Sequence, residues 1–179
     1  MNNSGWSLPP TPQTVAFGVP IADALTEAAQ RLAARRVAVV TTNSLTGPGG
    51  LAEVVRNILG PKFHSLVAGI HSHTPRADVV RVIRALEGAD GVVTIGGGSV
   101  CDSAKAARLC LANGITDAVG MDRLRPYNKA KGSEPDGTIS PSLPFIAVAT
   151  TLSAVKASLV SLLEGDPVGD PRDHREDLC

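Results

Sequence analysis

A run of three glycines followed by a serine is the part of this sequence best suited to chemistry. Gly96, Gly97, Gly98 and Ser99 follow the apolar run 91–95, and a pattern of small and apolar residues at helical spacing follows the serine. A strand, a glycine turn and a helix start are therefore predicted to meet here. Backbone N–H groups and the positive end of the helix dipole point at such a turn, and glycines leave room for a phosphate. The turn predicts a phosphate-binding site.

An ordinary helix start is the alternative interpretation of this segment. Ser99 can act as an N-cap, and Asp102 three residues later completes a variant of the capping box. Capping does not explain consecutive glycines at the carboxyl end of a strand, where open α/β sheets bind ligands. The fingerprint Gly-x-Gly-x-x-Gly is absent because Cys101 stands at its last position, and no Lys-Thr pair follows the glycines as in a P-loop.

Threonines follow two further predicted strands. Thr42 follows residues 37–41, and Thr150 and Thr151 follow the apolar run 144–149. Hydroxyl groups at a strand end can bond a ribose or a phosphate, and they can equally cap the next helix. An acidic residue at the position of Thr42 would hold the adenine ribose of NAD and repel the 2′-phosphate of NADP. Thr42 repels neither dinucleotide, and its plain alternative is a turn residue.

Histidine and cysteine side chains are the other candidates for chemistry. His71 and His73 invite a metal interpretation, but two ligands are too few and no acidic or cysteine partner lies at suggestive spacing. We therefore expect loop residues and no metal site. Cys101 lies at a predicted helix start, where thiols can be reactive, but no histidine is near it in sequence, so we assign no catalytic residue. Lys105 and Arg108 are expected on the solvated side of the helix, from which Lys105 could also reach a ribose.

The composition narrows the class of protein. The 179 residues suit one domain, and 43% of them are hydrophobic, enough to bury a core. Basic and acidic residues number 17 each and aromatic residues make up 3%, so no nucleic-acid surface is expected. No apolar run is long enough to span a membrane, and the N-terminus lacks the pattern of a secretory signal. Three cysteines without paired spacing favour a reducing, cytoplasmic location.

Strand and helix patterns alternate along the chain. Strands are predicted at residues 14–17, 37–41, 66–70, 91–95 and 144–149. Helical stripes are predicted from Ile21, Leu25, Ala28 and Leu32; from Leu51, Val54, Val55 and Ile58; from Val79, Val82, Ile83 and Leu86; from Val100, Ala104, Ala107 and Leu111; and from Leu152, Val155, Leu159 and Leu162. Thr74-Pro75 predicts an N-cap with proline at the first helical position. The fold class is therefore α/β, an open Rossmann-like, mainly parallel sheet with helices on both faces.

The remaining segments lack this alternation. Residues 1–13 are rich in Pro, Ser and Thr and are expected to be loose. Residues 122–142 predict a long surface excursion. Residues 164–179 have almost nothing to bury and predict a polar disordered tail. Residues 14–163 are therefore the predicted domain.

The glycine turn and two other segments together resemble the N-terminal domain of the iron-containing (group III) alcohol dehydrogenases. Phe17-Gly18 resembles the family's opening turn, and residues 96–105 resemble its Gly-Gly-Gly-Ser-x-x-Asp-x-Ala-Lys signature. Residues 144–154 resemble the strand and Thr-Thr-Leu-Ser-Ala segment of the branch near the maleylacetate reductases. The resemblance covers residues 14–160 and implies a domain that binds NAD or NADP.

The resemblance also implies roles for particular residues. It places these residues in a dinucleotide site: Thr42, Gly97, Gly98, Ser99, Asp102, Thr150 and Thr151. The two glycines and the serine would hold the pyrophosphate, the aspartate would lie near the nicotinamide, and the threonine pair would contact the nucleotide. In the family, a separate C-terminal helical domain binds iron or zinc through an aspartate and three histidines. That metal polarises the alcohol oxygen during hydride transfer.

The chain departs from the family at several positions. Thr42 stands in place of the family's acid, Ala149 in place of a proline, and Lys156 in place of a glutamate. We expect the helical domain and all its metal ligands to be absent, as in a truncated or frameshifted gene product. The prediction is the N-terminal part of an alcohol dehydrogenase-like oxidoreductase, inactive alone, with a helical-domain chain or a second copy as partner. The alternatives are a non-catalytic nucleotide-binding module and a non-functional fragment.

Overall fold

The computed structural model describes residues 16, 18–124 and 137–150. Along these residues the helices and strands are α1 (Ile21–Arg31), β1 (Val37–Thr41), α2 (Leu51–Leu59), β2 (Phe63–Val67), α3 (Arg76–Leu86), β3 (Gly91–Gly96), α4 (Gly98–Ala112) and β4 (Phe145–Ala149). Short 3₁₀ segments occur at Asn43–Leu45, Gly60–Lys62 and Gly120–Leu124. The predicted strand 14–17, the predicted tail 164–179 and the helix predicted beyond Thr151 lie outside the described residues, except Ala16, which is not in a strand.

The four strands form one parallel sheet in the order β2-β1-β3-β4. β1 and β3 occupy its centre and pair in continuous register from Val37 and Gly91 to Thr41 and Ile95. Every residue of both strands is buried. Strands covered on both faces need apolar side chains in both directions, which explains why apolar residues dominate both strands, with Thr41 and Thr94 as buried polar members. The predicted α/β class and the strands at 37–41 and 91–95 are confirmed.

The helices cover both faces of the sheet. Val37 and Val39 of β1 belong to the hydrophobic cluster with α1 and α2, whereas Ala38 and Val40 belong to the cluster with α3 and α4. The connection after β1 leads through α2 to β2 on one side, and the connection after β3 leads through α4 to β4 on the other. The chain therefore changes direction between the central strands. In open α/β sheets this switch point leaves a crevice at the carboxyl ends of the strands.

Both outer strands differ from the sequence predictions. β2 begins at Phe63, three residues before the predicted start, and its side chains alternate in exposure, with Leu66 43% exposed. An edge strand needs apolar residues on one face only, so the apolar run was a poor guide to its position. β4 was predicted to be buried, but its residues are half-buried or exposed because it is the last strand of the described sheet.

The buried faces of α1 and α2 are shifted from the predicted stripes. In α2 the buried positions are Ala52, Val55 and Leu59, whereas Val54 is 38% exposed. Alanine in the stripe was overlooked because its small side chain gives a weak hydrophobic signal. In α1, Leu32 lies beyond the last helical turn and is exposed.

The start of α3 and the excursion also need correction. Pro75, not Thr74, is the N-cap of α3, and no side chain caps this helix start. Thr74 has a φ of +51°, outside the extended range that a capping residue adopts. The apolar face predicted for α3 is buried as expected. Of the predicted excursion, residues 125–136 lie outside the described residues, and Leu124 is buried at the end of a 3₁₀ segment.

None of the helices in the described part of the chain combines the length and the apolar character needed to cross a membrane.

Candidate functional site

Different physical reasons explain why glycine stands at each of the three positions at the end of β3. Gly96 has a φ of +154°, and a Cβ at this position would lie 2.8 Å from Cγ2 of Val100. Gly97 adopts φ −90° and ψ −164°, and Gly98 is the first residue of α4. Ordinary L-residues can adopt both of these conformations. Glycine within a helix also makes the helix less stable than alanine would. Backbone geometry therefore requires glycine at 96 but not at 97 or 98, and glycines at those two positions leave room for close approach of a ligand.

No side chain caps the start of α4. Its N-cap is Gly97, and within the described residues no side chain accepts a capping hydrogen bond from the first-turn N–H groups. Ser99 lies inside the first turn, where its hydroxyl oxygen accepts a hydrogen bond from the N–H of His73 at 3.2 Å. The capping-box interpretation of Ser99 and Asp102 is therefore wrong. First-turn N–H groups without a capping side chain, together with the helix dipole, attract an anion.

Thr150 lies directly beside the glycine turn. Its backbone N–H donates to the carbonyl oxygen of Gly96 at 3.2 Å, which extends the pairing of Gly96 with Ala149. Thr150 is exposed at this edge of the sheet. Thr151 lies outside the described residues. The parallel register thus brings Thr150 next to glycines that are more than 50 residues earlier in the sequence.

Thr42 follows the central strand next to β3. The preceding residue, Thr41, is buried and donates its hydroxyl proton to the carbonyl oxygen of Ile95 at 2.8 Å. The hydroxyl groups of Thr42 and Ser44 lie 3.0 Å apart. The carboxyl ends of β1 and β3 are adjacent, so Thr42 and the glycine turn lie on the same edge of the sheet, at the switch point.

Asp102 and its neighbours on α4 are partly buried. The side chain of Asp102 is 30% exposed, and its Oδ1 lies 3.9 Å from Nζ of Lys105. Burial raises the pKa of Asp102, and the positive charge of Lys105 opposes this increase. Arg108 donates from Nε to the carbonyl oxygen of Leu143 at 2.7 Å and stacks over the ring of Phe145. The prediction that Lys105 and Arg108 lie on a solvated face is wrong, because the Lys105 side chain is only 19% exposed and Arg108 contacts Leu143 and Phe145.

His71, one of the two loop histidines, has a partner that sequence reasoning missed. Nδ1 of His71 lies 2.9 Å from a carboxylate oxygen of Asp78, on the first turn of α3. The spacing of seven residues is not a metal-ligand pattern, so nothing in the sequence marked this contact. In the part of the chain that the structure describes, no group of three or more His, Cys, Asp or Glu could hold a metal ion. These residues do not fit the family's metal.

The described cysteines are core residues. Cys101 and Cys110 are free thiols, and both are buried. The Sγ of Cys101 lies 3.4 Å from the hydroxyl oxygen of Thr94. Burial raises the pKa of Cys110 to about 11. Neither thiol is positioned to attack a substrate in solution.

A parallel α/β sheet with a glycine turn and an uncapped helix at its switch point defines a Rossmann-like domain. The family model described as iron-containing alcohol dehydrogenase matches residues 12–164. The chain therefore belongs to the iron-containing alcohol dehydrogenase family, and the resemblance read from the glycine signature is confirmed.

Two curated relatives are similar in sequence. Dehydrogenase FUM7 of Gibberella moniliformis is 36% identical over 148 residues, which cover 79% of this chain and 34% of the relative. Dehydrogenase ALT3 of Alternaria alternata is 31% identical over 121 residues, which cover 66% and 30%. The chain thus spans about a third of the length of the curated relatives it matches.

Solved structures of the family share the fold. The NADH-dependent butanol dehydrogenase A of Thermotoga maritima has a TM-score of 0.58 at 21% identity, over 80% of this chain and 34% of that one. The sulfoacetaldehyde reductase of Bifidobacterium kashiwanohense, solved in complex with NAD+, has a TM-score of 0.58 at 23% identity, over 76% and 34%. The maleylacetate reductase of Agrobacterium tumefaciens has a TM-score of 0.53 at 23% identity, over 80% and 43%.

Proposed function

We propose that residues 14–163 form the NAD- or NADP-binding part of an alcohol dehydrogenase-like oxidoreductase. The observation that carries the proposal is the combination of an uncapped helix start with Gly97 and Gly98, at positions where the backbone does not require glycine. A pyrophosphate is the group that best uses free N–H donors, a helix dipole and unhindered access together. Membership of the family and the NAD+ complex of one relative support a dinucleotide.

The proposed site follows the edge of the sheet. The pyrophosphate lies on Gly97, Gly98 and Ser99, the adenine ribose lies toward Thr42, and Thr150 contacts the nucleotide on the opposite side. The family resemblance adds Thr151 as a further contact. Asp102 lies near the nicotinamide. The bound dinucleotide supplies the chemistry, hydride transfer to or from an alcohol or carbonyl carbon. The chain itself binds and orients the cofactor.

We propose that this chain alone does not oxidise alcohols. The described residues hold no donor cluster for a divalent metal that would polarise the alcohol oxygen. We propose a helical-domain chain as the partner that supplies these ligands, with an assembly of copies as the alternative. Metal-dependent turnover of ethanol by the purified chain would overturn this statement.

The free thiols of Cys101 and Cys110 support a reducing location such as the cytoplasm.

The ratio of the affinities for NADPH and NADH tests whether the adenine ribose lies at Thr42. Thr42→Asp is expected to weaken NADPH binding about tenfold relative to NADH, because the new carboxylate repels the 2′-phosphate. Calorimetric titration of the native chain and the variant with both dinucleotides measures this ratio. Thr42→Asn is the matched control, similar in size but uncharged, and should leave the ratio nearly unchanged. An equal effect of Thr42→Asp on both dinucleotides would place the adenine ribose elsewhere.

A further inference from the structure

Asp78 is the one buried charged residue in the described part of the chain, at 3% exposure. One carboxylate oxygen accepts from Nη1 of Arg81 at 2.9 Å. The other contacts the N–H and Nδ1 of His71 at 2.8 and 2.9 Å. Burial acts to raise the pKa of Asp78, but the hydrogen bonds from His71 and Arg81 outweigh it and lower the pKa below its ordinary value. A buried carboxylate is stable only with such partners, so the network keeps Asp78 ionised.

Hydrogen bonds attach the connection between β2 and α3 to two parts of the fold, α3 and the end of β1. Arg81 also donates to the carbonyl oxygens of Ala68 and Gly69. The N–H of Ile70 donates to the carbonyl oxygen of Thr41 at 3.2 Å, at the end of the central strand β1. The connection is therefore fixed to α3 through Asp78 and Arg81, and to the carboxyl edge of the sheet through Thr41.

The same connection ends in a strained turn that contacts the proposed phosphate site. His73 and Thr74 have φ values of +64° and +51°, a region that L-residues rarely adopt and that is least favourable for a β-branched threonine. Such conformations persist only where the surrounding structure holds them. The N–H of His73 donates to the hydroxyl oxygen of Ser99 at 3.2 Å. Since this oxygen already accepts a hydrogen bond from His73, its own proton is directed to another acceptor.

We propose that Asp78 is a positioning residue of the dinucleotide site. Its carboxylate fixes the connection from Ala68 to His71, which holds the strained turn, and the His73 N–H in turn orients the Ser99 hydroxyl to donate to a phosphate oxygen. This inference rests on the proposed function. It assigns a role in cofactor binding to a side chain that does not touch the cofactor.

Asp78→Asn tests the inference in the full 179-residue chain. The amide keeps the shape but loses the charge that holds His71 and Arg81, so NADH affinity should fall about fivefold, the usual effect of losing one hydrogen bond. In a Ser99→Ala background the same substitution should have little further effect, because both changes remove the same contact. A merely structural role predicts an equal loss in both backgrounds. Unchanged affinity of Asp78→Asn in the native background would overturn the inference.

Two further variants keep this test decisive. Val55→Ala creates a cavity on the opposite face of the sheet. It should lower the melting temperature and leave NADH affinity unchanged. His71→Ala is the substitute if Asp78→Asn does not fold. It keeps the backbone N–H of residue 71 and removes only the ring contact with Asp78, so the loss of NADH affinity should be smaller.

Amide NMR of the ligand-free chain separates this inference from the proposed function. Asp78→Asn should shift the amide resonances of His73 and Ser99, whereas Val55→Ala should not. Absence of a shift at Ser99 would overturn the positioning role whether or not NADH binds. Failure of the native chain to bind NADH would instead overturn the proposed function, and with it the claim that this linkage serves a dinucleotide.

Discussion

Gly98→Asp should weaken the affinity of the protein for NADH by about 100-fold or more. Gly98 is the first residue of α4, and its N–H belongs to the uncapped turn proposed to hold the pyrophosphate. A carboxylate there would lie within a few ångströms of a phosphate oxygen. Two like charges ~4 Å apart near a protein surface repel by ~4 kcal/mol. Calorimetric titration with NADH measures the loss.

Folding should be retained in this variant. Gly98 lies in the helix, and an L-residue can adopt its conformation. An acidic side chain in the first turn also stabilises the helix through its interaction with the helix dipole. Gln30→Asp is the matched control, because it makes the same change of charge at an exposed position in the last turn of α1. Its NADH affinity should equal that of the native chain. Unaltered binding by Gly98→Asp would contradict a phosphate at this turn.

Gly96→Ala should destabilise the protein by about 3 kcal/mol. The new Cβ would lie 2.8 Å from Cγ2 and 3.2 Å from Cβ of Val100, inside contact distance of a side chain that is itself buried. The φ of +154° adds backbone strain that glycine avoids. The free energy of unfolding, measured by urea denaturation, reports the sum of both effects.

Two comparisons separate the steric effect from the general effect of replacing a glycine. A Cβ at Gly47 would meet nothing within 4 Å, so Gly47→Ala should change stability by less than about 0.5 kcal/mol. Adding Val100→Ala to Gly96→Ala removes the atom in conflict, so the double variant should be more stable than the sum of the single changes predicts. Simple additivity would show that the contact between positions 96 and 100 is not the cause.

The central strands could be predicted from the sequence because burial on both faces leaves an unmistakable pattern. β1 and β3 are mostly apolar, and their predicted bounds agree with the structure to within one residue. The edge strand β2 was misplaced because its first residues, from Phe63 to Ser65, alternate in exposure and include polar side chains. The sequence alone does not show which strand will lie at an edge.

The conformation of the loop before α3 illustrates what tertiary contacts decide. Thr74-Pro75 has the pattern of a capped helix start, yet Thr74 adopts a left-handed conformation and does not cap. Asp78 and Arg81 bond to His71 and to the carbonyl oxygen of Gly69, in the connection just before this residue. Their partners are largely backbone groups, which every residue carries, so no residue pattern marks them in advance.

The glycine turn was predictable because its composition is hard to explain in any other way. The exposure of the neighbouring side chains on α4 was harder to predict. Lys105 and Arg108 were expected to be solvated, as most charged side chains are, but α4 is buried on most of its surface through small residues such as Ser103 and Ala104. A helix with so many small side chains has a weak amphipathic pattern, so its exposed side could not be identified from spacing.

The most direct test of a dinucleotide at the switch point is amide NMR of the isotope-labelled chain during titration with NADH. The resonances of Gly97, Gly98, Ser99 and Thr150 should shift with increasing ligand, since their backbone groups lie at the carboxyl edge beside the proposed pyrophosphate. Gly91, at the amino end of β3, should not shift. Shifts confined to the amino edge of the sheet, or none at all, would contradict the account.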